Sequence, residues 1–252
     1  MKNVFYFAVW LGLCAGLHSE PFDHAYTNFS KVLTQHVQSG SVDYQALQKN
    51  RTDLDNFLRA ISSVDAAAFE AWSREQRLAF LLNAYNAAVL QLVTDNYPVS
   101  SIKRIGGWFS NPFRMKFVSL FGTKSSLDEI EHGMLRPDFG EPRIHFALVC
   151  AARSCPPLRR EPYLPTKIDS QLDDQARLFL NDSSKNRVDV GAHVVHMSAI
   201  FKWFREDFGT NDHAIVGFAS RYWPETIRPA LAKEPFRVRY LDYDWQLNDL
   251  KR

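Results

Sequence analysis

The stretch from Ser73 to Pro98 constrains the fold more than any other. Ser73-Arg74-Glu75-Gln76 reads as a capping box, with the serine hydroxyl on the third backbone amide and the Gln76 side chain turned back to the cap. Beyond it Leu78, Phe80, Leu81, Leu82, Ala84, Tyr85, Ala88, Val89, Leu92 and Val93 cover more than one face of a helix that Pro98 closes. A helix apolar on most sides must be wrapped by the rest of the chain. Asn83 and Asn86 lie inside it. An unpaired buried amide costs on the order of 1–3 kcal/mol, so both are expected to be bonded internally, either holding a loop or orienting a ligand-binding or catalytic group.

Around this helix the spacing predicts others. Phe22 to Val37 is helical, Ser39-Gly40-Ser41 stops it, and a second helix runs from about Gln45 to Ser62. Met115 to Leu120 and Thr123 to Ser125, joined by Phe121-Gly122, form a hairpin. Ser126-Leu127-Asp128-Glu129 is another capping box, opening a helix that carries Glu131 and His132. Later come a helix over Thr166 to Leu180, a hairpin around Gly191-Ala192, a helix from Ser198 to Gly209, one over Asp212 to Trp223, and a strand over Phe236 to Tyr240. With no repeat or linker, the expectation is a helix-rich α+β domain with a small, mainly antiparallel sheet over residues 20–252.

The first residues read differently. Lys2 precedes an apolar run, Val4 to Leu17, that ends in Ala15-Gly16-Leu17-His18-Ser19, the layout of a secretory signal peptide over residues 1–19. The run falls short of a membrane span of roughly 20 residues. The alternatives are a retained anchor and a lipoprotein at Cys14, which the bulky Leu13 opposes. Cleavage leaves Cys150 and Cys155 as the thiols of a periplasmic or secreted protein, in an oxidising compartment. The 252 residues carry a formal net charge of +2, which favours no nucleic-acid partner, and removal of the leader leaves no stable membrane span.

Reactive groups concentrate in Arg143-Ile144-His145-Phe146-Ala147-Leu148-Val149-Cys150-Ala151-Ala152-Arg153-Ser154-Cys155-Pro156-Pro157. Its apolar first half predicts a buried strand and the two prolines end it. In one reading Cys150 and Cys155 form a disulfide, which needs Cα atoms within roughly 7 Å. In another Cys155 is a thiolate, activated by Arg153 and by an imidazole. Strand alternation turns His145 away from Cys150, which makes His132 at least as good a base. A metal site on these residues matches no zinc spacing, and no cofactor is expected. Gly107 to Arg114 reads as an aromatic loop able to cover a site, and Phe201 to Phe208 as a core helix on which Lys202 or Arg205 lines a pocket in the alternative reading.

With these motifs in view, the chain resembles the domain-of-unknown-function 547 family (DUF547). The resemblance is carried by Leu78 to Ala87, Ser126 to His132, Arg143 to Ala151, Ser154 to Arg159, Ile200 to Phe208 and Tyr243-Asp244-Trp245. More distantly it is similar to papain-like and transglutaminase-like thiol hydrolases. In those a helix carries the cysteine, whereas here the central helix carries Asn83 and Asn86 and the thiols follow His145.

Two functions follow as expectations. One is a thiol-dependent hydrolase or acyltransferase in which Cys155 attacks a carbonyl, His132 or His145 takes the proton, Glu131 or an asparagine orients the imidazole and Arg153 holds an anionic substrate group. The other is a non-catalytic module for a small molecule or peptide, stiffened by a Cys150–Cys155 disulfide, with Asn83, Asn86, Arg153, Ser154, Arg159 and Lys202 as candidate binding residues.

Overall fold

The computed structural model describes residues 22–107 and 110–251. The expected leader lies outside them, as do Trp108 and Phe109 of the aromatic loop. Helix α1 (Thr27–His36) leads through a short antiparallel pair, β1 (Val37–Gln38) and β2 (Ser41–Val42), to α2 (Tyr44–Lys49), α3 (Thr52–Ser62) and α4 (Ala66–Glu70). The central helix α5 spans Arg74–Asp95 and opens with the expected capping box between Ser73 and Gln76. Its side chains from Leu78 to Leu90 are buried on every side, with α2 and α3 packed against it.

A hairpin, β3 (Val118–Leu120) and β4 (Thr123–Ser125), turns through Phe121 and Gly122, both at positive φ (51° and 74°), the geometry of a tight two-residue hairpin turn. Next come α6 (Leu127–Ile130), a π-helical turn at Glu131–Leu135, α7 (Arg136–Phe139), α8 (Ile144–Ala147) and α9 (Ile168–Leu180). Strands β5 (Arg187–Asp189) and β6 (Val194–Met197) pair antiparallel, then α10 (Ile200–Trp203), α11 (Arg205–Phe208), α12 (Asp212–Ser220) and α13 (Arg228–Lys233) precede β7 (Arg237–Tyr240), which lies parallel to β6. The architecture is α+β as expected, although among the described residues the strands form three small sheets instead of one. No helix among the described residues is long and apolar enough to cross a membrane.

Two apolar cores meet at α8. Ile144 and Ala147 belong to the one built on α5, while Phe146 enters the one formed by α9, β6 and α10 to α12. This segment corrects the sequence reading: Ile144 begins a helical turn, not a strand, and the alternation argued for His145 and Cys150 does not apply. A four-residue apolar run has no period long enough to separate the two. Among the described residues no strand lies alongside to pair its backbone. Instead the Asn86 amide donates to Ala147 O at 3.0 Å and accepts from the Val149 N–H at 3.0 Å, taking the place of a ladder rung. Asn83 treats Tyr163 the same way, at 2.8 and 2.9 Å.

Two other expected helices divide. Gln45 to Ser62 breaks between Lys49 and Thr52, where the Arg51 guanidinium is drawn to Asp55 and Asp95. Ser198 to Gly209 breaks at Phe204, whose φ of −112° leaves the helical region.

Asn86→Ala strands a buried carbonyl and a buried N–H together, so we expect a loss of about 2–4 kcal/mol of unfolding free energy. Urea denaturation measures it. A loss well under about 1 kcal/mol contradicts the role given to this amide.

Candidate functional site

The site begins at the π turn. The Ser126–Glu129 capping box fixes the start of α6, and the helix then widens so that the Arg136 N–H reaches back to Glu131 O. Turns of this kind are frequent at functional sites, because the extra residue per turn re-aims side chains. Here it carries Glu131, which is buried, and His132, which is exposed.

From α8 the His145 ring enters with only 1% of its side chain exposed and stacks on Phe204, ring centroids 3.9 Å apart. Its Nε2 lies 2.6 Å from Asp207 Oδ2, and its Nδ1 lies 3.5 Å from Glu131 Oε1 without forming a hydrogen bond. Asp207 also receives two hydrogen bonds from Arg136, at 2.7 and 2.8 Å. Burial pushes the Asp207 carboxyl up, but the Arg136 and His145 hydrogen bonds and charges outweigh it and hold the group below the ordinary carboxylate range. Arg136 donates as well to Nδ1 of His132 at 3.0 Å. Since a guanidinium only donates, the proton of a neutral His132 ring sits on Nε2.

The thiols complete the wall. Cys150 and Cys155 form a disulfide, their Cα atoms 6.2 Å apart. The loop between them closes through Ala151, held at a φ of 57°, and is pinned by Arg153 N–H to Gln246 O at 2.8 Å. The Tyr243 hydroxyl approaches both sulfurs, at 3.1 Å from Cys150 and 3.3 Å from Cys155. Burial, with the charge of Glu131 behind it, raises the Tyr243 and Tyr85 phenols above their ordinary value, so both remain protonated donors. Tyr85 directs its hydroxyl at Glu131 Oε2, 3.5 Å away.

Together these groups enclose a cavity of about 160 Å³. Its polar lining is Asp128, Glu131, His132 and His145. Its aromatic lining is Tyr85, Phe113, Trp203, Phe204, Tyr243 and Trp245, with the disulfide, Leu148, Pro156 and Ile200 between them. Among the described residues no lysine or arginine lines it, and no three His, Cys, Asp or Glu side chains converge to hold a metal ion.

Of the residues singled out in the sequence, Cys155, His132, His145 and Glu131 thus come together. Asn83 and Asn86 lie behind the wall, bonded to backbone, and Asn86 fixes the segment between His145 and Cys150. Ser154 turns away and accepts from Asp244 N–H at 2.8 Å. Arg153 is exposed on the outer side of the loop. Arg159 is paired with Glu161 and with Asp174 of α9, each at 2.6 Å. Lys202 is exposed, and Arg205 binds Asp212 and the Tyr240 hydroxyl, so neither lines this cavity. The sequence reading passed over Tyr85, Trp203, Phe204, Asp207, Tyr243 and Trp245. Tyr85 sits between the two asparagines of the central helix, Trp203, Phe204 and Asp207 lie in the stretch read as a core helix, and Tyr243 and Trp245 lie in a motif quoted for its resemblance alone.

Fold and site define an α+β protein with an aromatic, acid-lined cavity closed by a disulfide. Residues 69–180 match the model of the family described as Protein of unknown function, DUF547, which supports the family resemblance read from the sequence. The match ends at Leu180, so Trp203, Asp207, Tyr243 and Trp245 are contributed from beyond it. No curated protein and no solved structure matches the chain, and nothing supports the more distant similarity to papain-like or transglutaminase-like hydrolases.

Asp207→Asn removes a carboxylate whose folded-state pKa is depressed, so its contribution is complete above the unfolded value of about 3.9 and disappears as pH falls through the folded one. The expected gap in unfolding free energy between wild type and variant is about 1–2 kcal/mol. Denaturation at a series of pH values should find that gap constant from pH 7 to about pH 5 and shrinking below about pH 4. A gap that widens towards acid contradicts the assignment.

Proposed function

We propose that the protein is exported and serves as a non-catalytic periplasmic or secreted module that binds a small molecule, or a side chain of a peptide, in the cavity walled by the disulfide. The observation that carries this reading is that Cys150 and Cys155, both in the cavity wall, are bonded to each other. A thiolate nucleophile needs a free sulfur, and neither is free in this state. The bond ties the loop down so that Tyr243 and the wall residues keep their positions. Export is supported by the leader-like sequence of residues 1–19 and by the oxidising surroundings in which such a bond persists. Arg153 and Arg159 lie outside the lining of the cavity, so the binding role falls to the residues that line it.

A second reading, the thiol-dependent hydrolase or acyltransferase, is favoured by one contact. The Cys150 N–H donates to Cys155 Sγ at 2.7 Å, and the Tyr243 hydroxyl is a second donor. On reduction these two groups would hold a Cys155 thiolate, with His132 or His145 as base.

Intact mass of the exported protein after alkylation, with and without prior reduction and from about pH 5 to 9, separates the two. We expect both cysteines to label only after reduction. Labelling of Cys155 without reductant, well below the free-thiol pKa of about 8.5, overturns the binding module in favour of the enzyme.

A further inference from the structure

We propose that the cavity takes a small organic cation, an ammonium head group carried on an apolar body, an inference that rests on the binding reading above. Three independent features point to that charge and shape. The first is the state of Glu131. It is buried to 9% exposure, and its two oxygens have one contact each, to the Tyr85 hydroxyl and to His145 Nδ1, both at 3.5 Å. Among the described residues no lysine or arginine forms an ion pair with it, whereas Asp207 is answered by Arg136 and Asp128 by Arg114. A buried carboxylate with spare acceptor capacity facing an opening is a seat for a donor of opposite charge.

The second feature is the neighbouring imidazole. His145 Nδ1 is buried without a hydrogen-bond partner. With Nε2–H donating to Asp207 at 2.6 Å, Nδ1 of the neutral ring is an acceptor, and an ammonium N–H placed between it and Glu131 satisfies both. An anionic ligand would meet two carboxylates and no guanidinium or ammonium.

The third is the mouth. Trp203, 47% exposed, lies against Tyr243 and Trp245 with ring centroids 4.7 and 5.7 Å away. Aromatic faces attract cations through the ring quadrupole, most strongly at tryptophan. The same cluster already does so on its outer side, where Lys103 Nζ stands 4.5 Å from the Trp245 centroid. The volume of about 160 Å³ is that of a cavity that accepts a benzene-sized guest.

The test uses three probes of one skeleton and different charge: benzylammonium, benzyl alcohol and benzoate. Each is titrated into the oxidised, exported protein at neutral pH, followed by tryptophan fluorescence and calorimetry. We expect benzylammonium to saturate at a single site and to bind about tenfold or more tighter than benzyl alcohol, with benzoate weakest. Glu131→Gln should remove that advantage and leave benzyl alcohol within about twofold of its wild-type affinity. Trp203→Leu, at a position too exposed to carry the fold, should weaken benzylammonium several-fold and spare the alcohol. If benzyl alcohol or benzoate binds as tightly as benzylammonium, or if both variants leave benzylammonium unchanged, the cation is wrong and the cavity still binds ligand. If no probe saturates, the cation proposal and the small-ligand reading fall together.

Discussion

Much of this structure depends on the Asn86 amide. It sits in the middle of the most buried helix of the chain and bonds both faces of the peptide path between Ala147 and Val149. A helix side chain normally packs, but this one replaces the backbone partner that the path would otherwise find in a sheet. Because α5 is enclosed on all sides, the amide is held rigidly, and so is what it grips. His145 lies just before that grip and Cys150 just after it. The central helix therefore contributes no polar group to the cavity except the Tyr85 hydroxyl, yet it sets the position of two walls.

From this anchor the cavity is assembled by segments far apart in sequence. The π turn delivers Glu131, the α10–α11 break delivers Trp203 and Phe204, and the C-terminal stretch delivers Tyr243 and Trp245. Asp207 links the C-terminal part of the chain to the part before it by binding Arg136 and His145 together, and Phe146 and Ile144 send the same short helix into both cores. The two halves thus share a seam of polar contacts where the cavity opens. Buried polar groups at such a seam cost stability unless paired, and all but Glu131 and His145 Nδ1 find short-range partners there.

How far the sequence could be read follows from the kind of signal involved. Capping boxes at Ser73 and Ser126 and the Phe121-Gly122 turn are local chemistry, decided within four residues, and each is found as expected. Ile144 to Val149 failed because its partner, Asn86, is tertiary: no local pattern says that an amide some 60 positions upstream will close the backbone. Phe201 to Phe208 looked like one amphipathic helix because aromatic residues at a cavity mouth have the same spacing as aromatic residues in a core. Among titratable groups the sequence did better, since Glu131, His132, His145 and Cys155 stand out as chemistry whatever the backbone does. Asp207 was hidden in a charged outer face, the commonest place for an aspartate.

The π turn at Glu131–Leu135 gives this site an unusual dependence on chain length. Such a turn is an ordinary helix with one residue too many. Deleting a single residue from it would restore regular pitch without touching any side chain of the cavity. Each residue of an α-helix advances the face by about 100°, so Glu131 would no longer face His145 Nδ1 while Arg136 holds the Asp207 carboxylate at Nε2. Spacing here is information of the same rank as residue type: a chain with every cavity residue in common but without that single insertion would not hold Glu131, His145 and Asp207 in this arrangement.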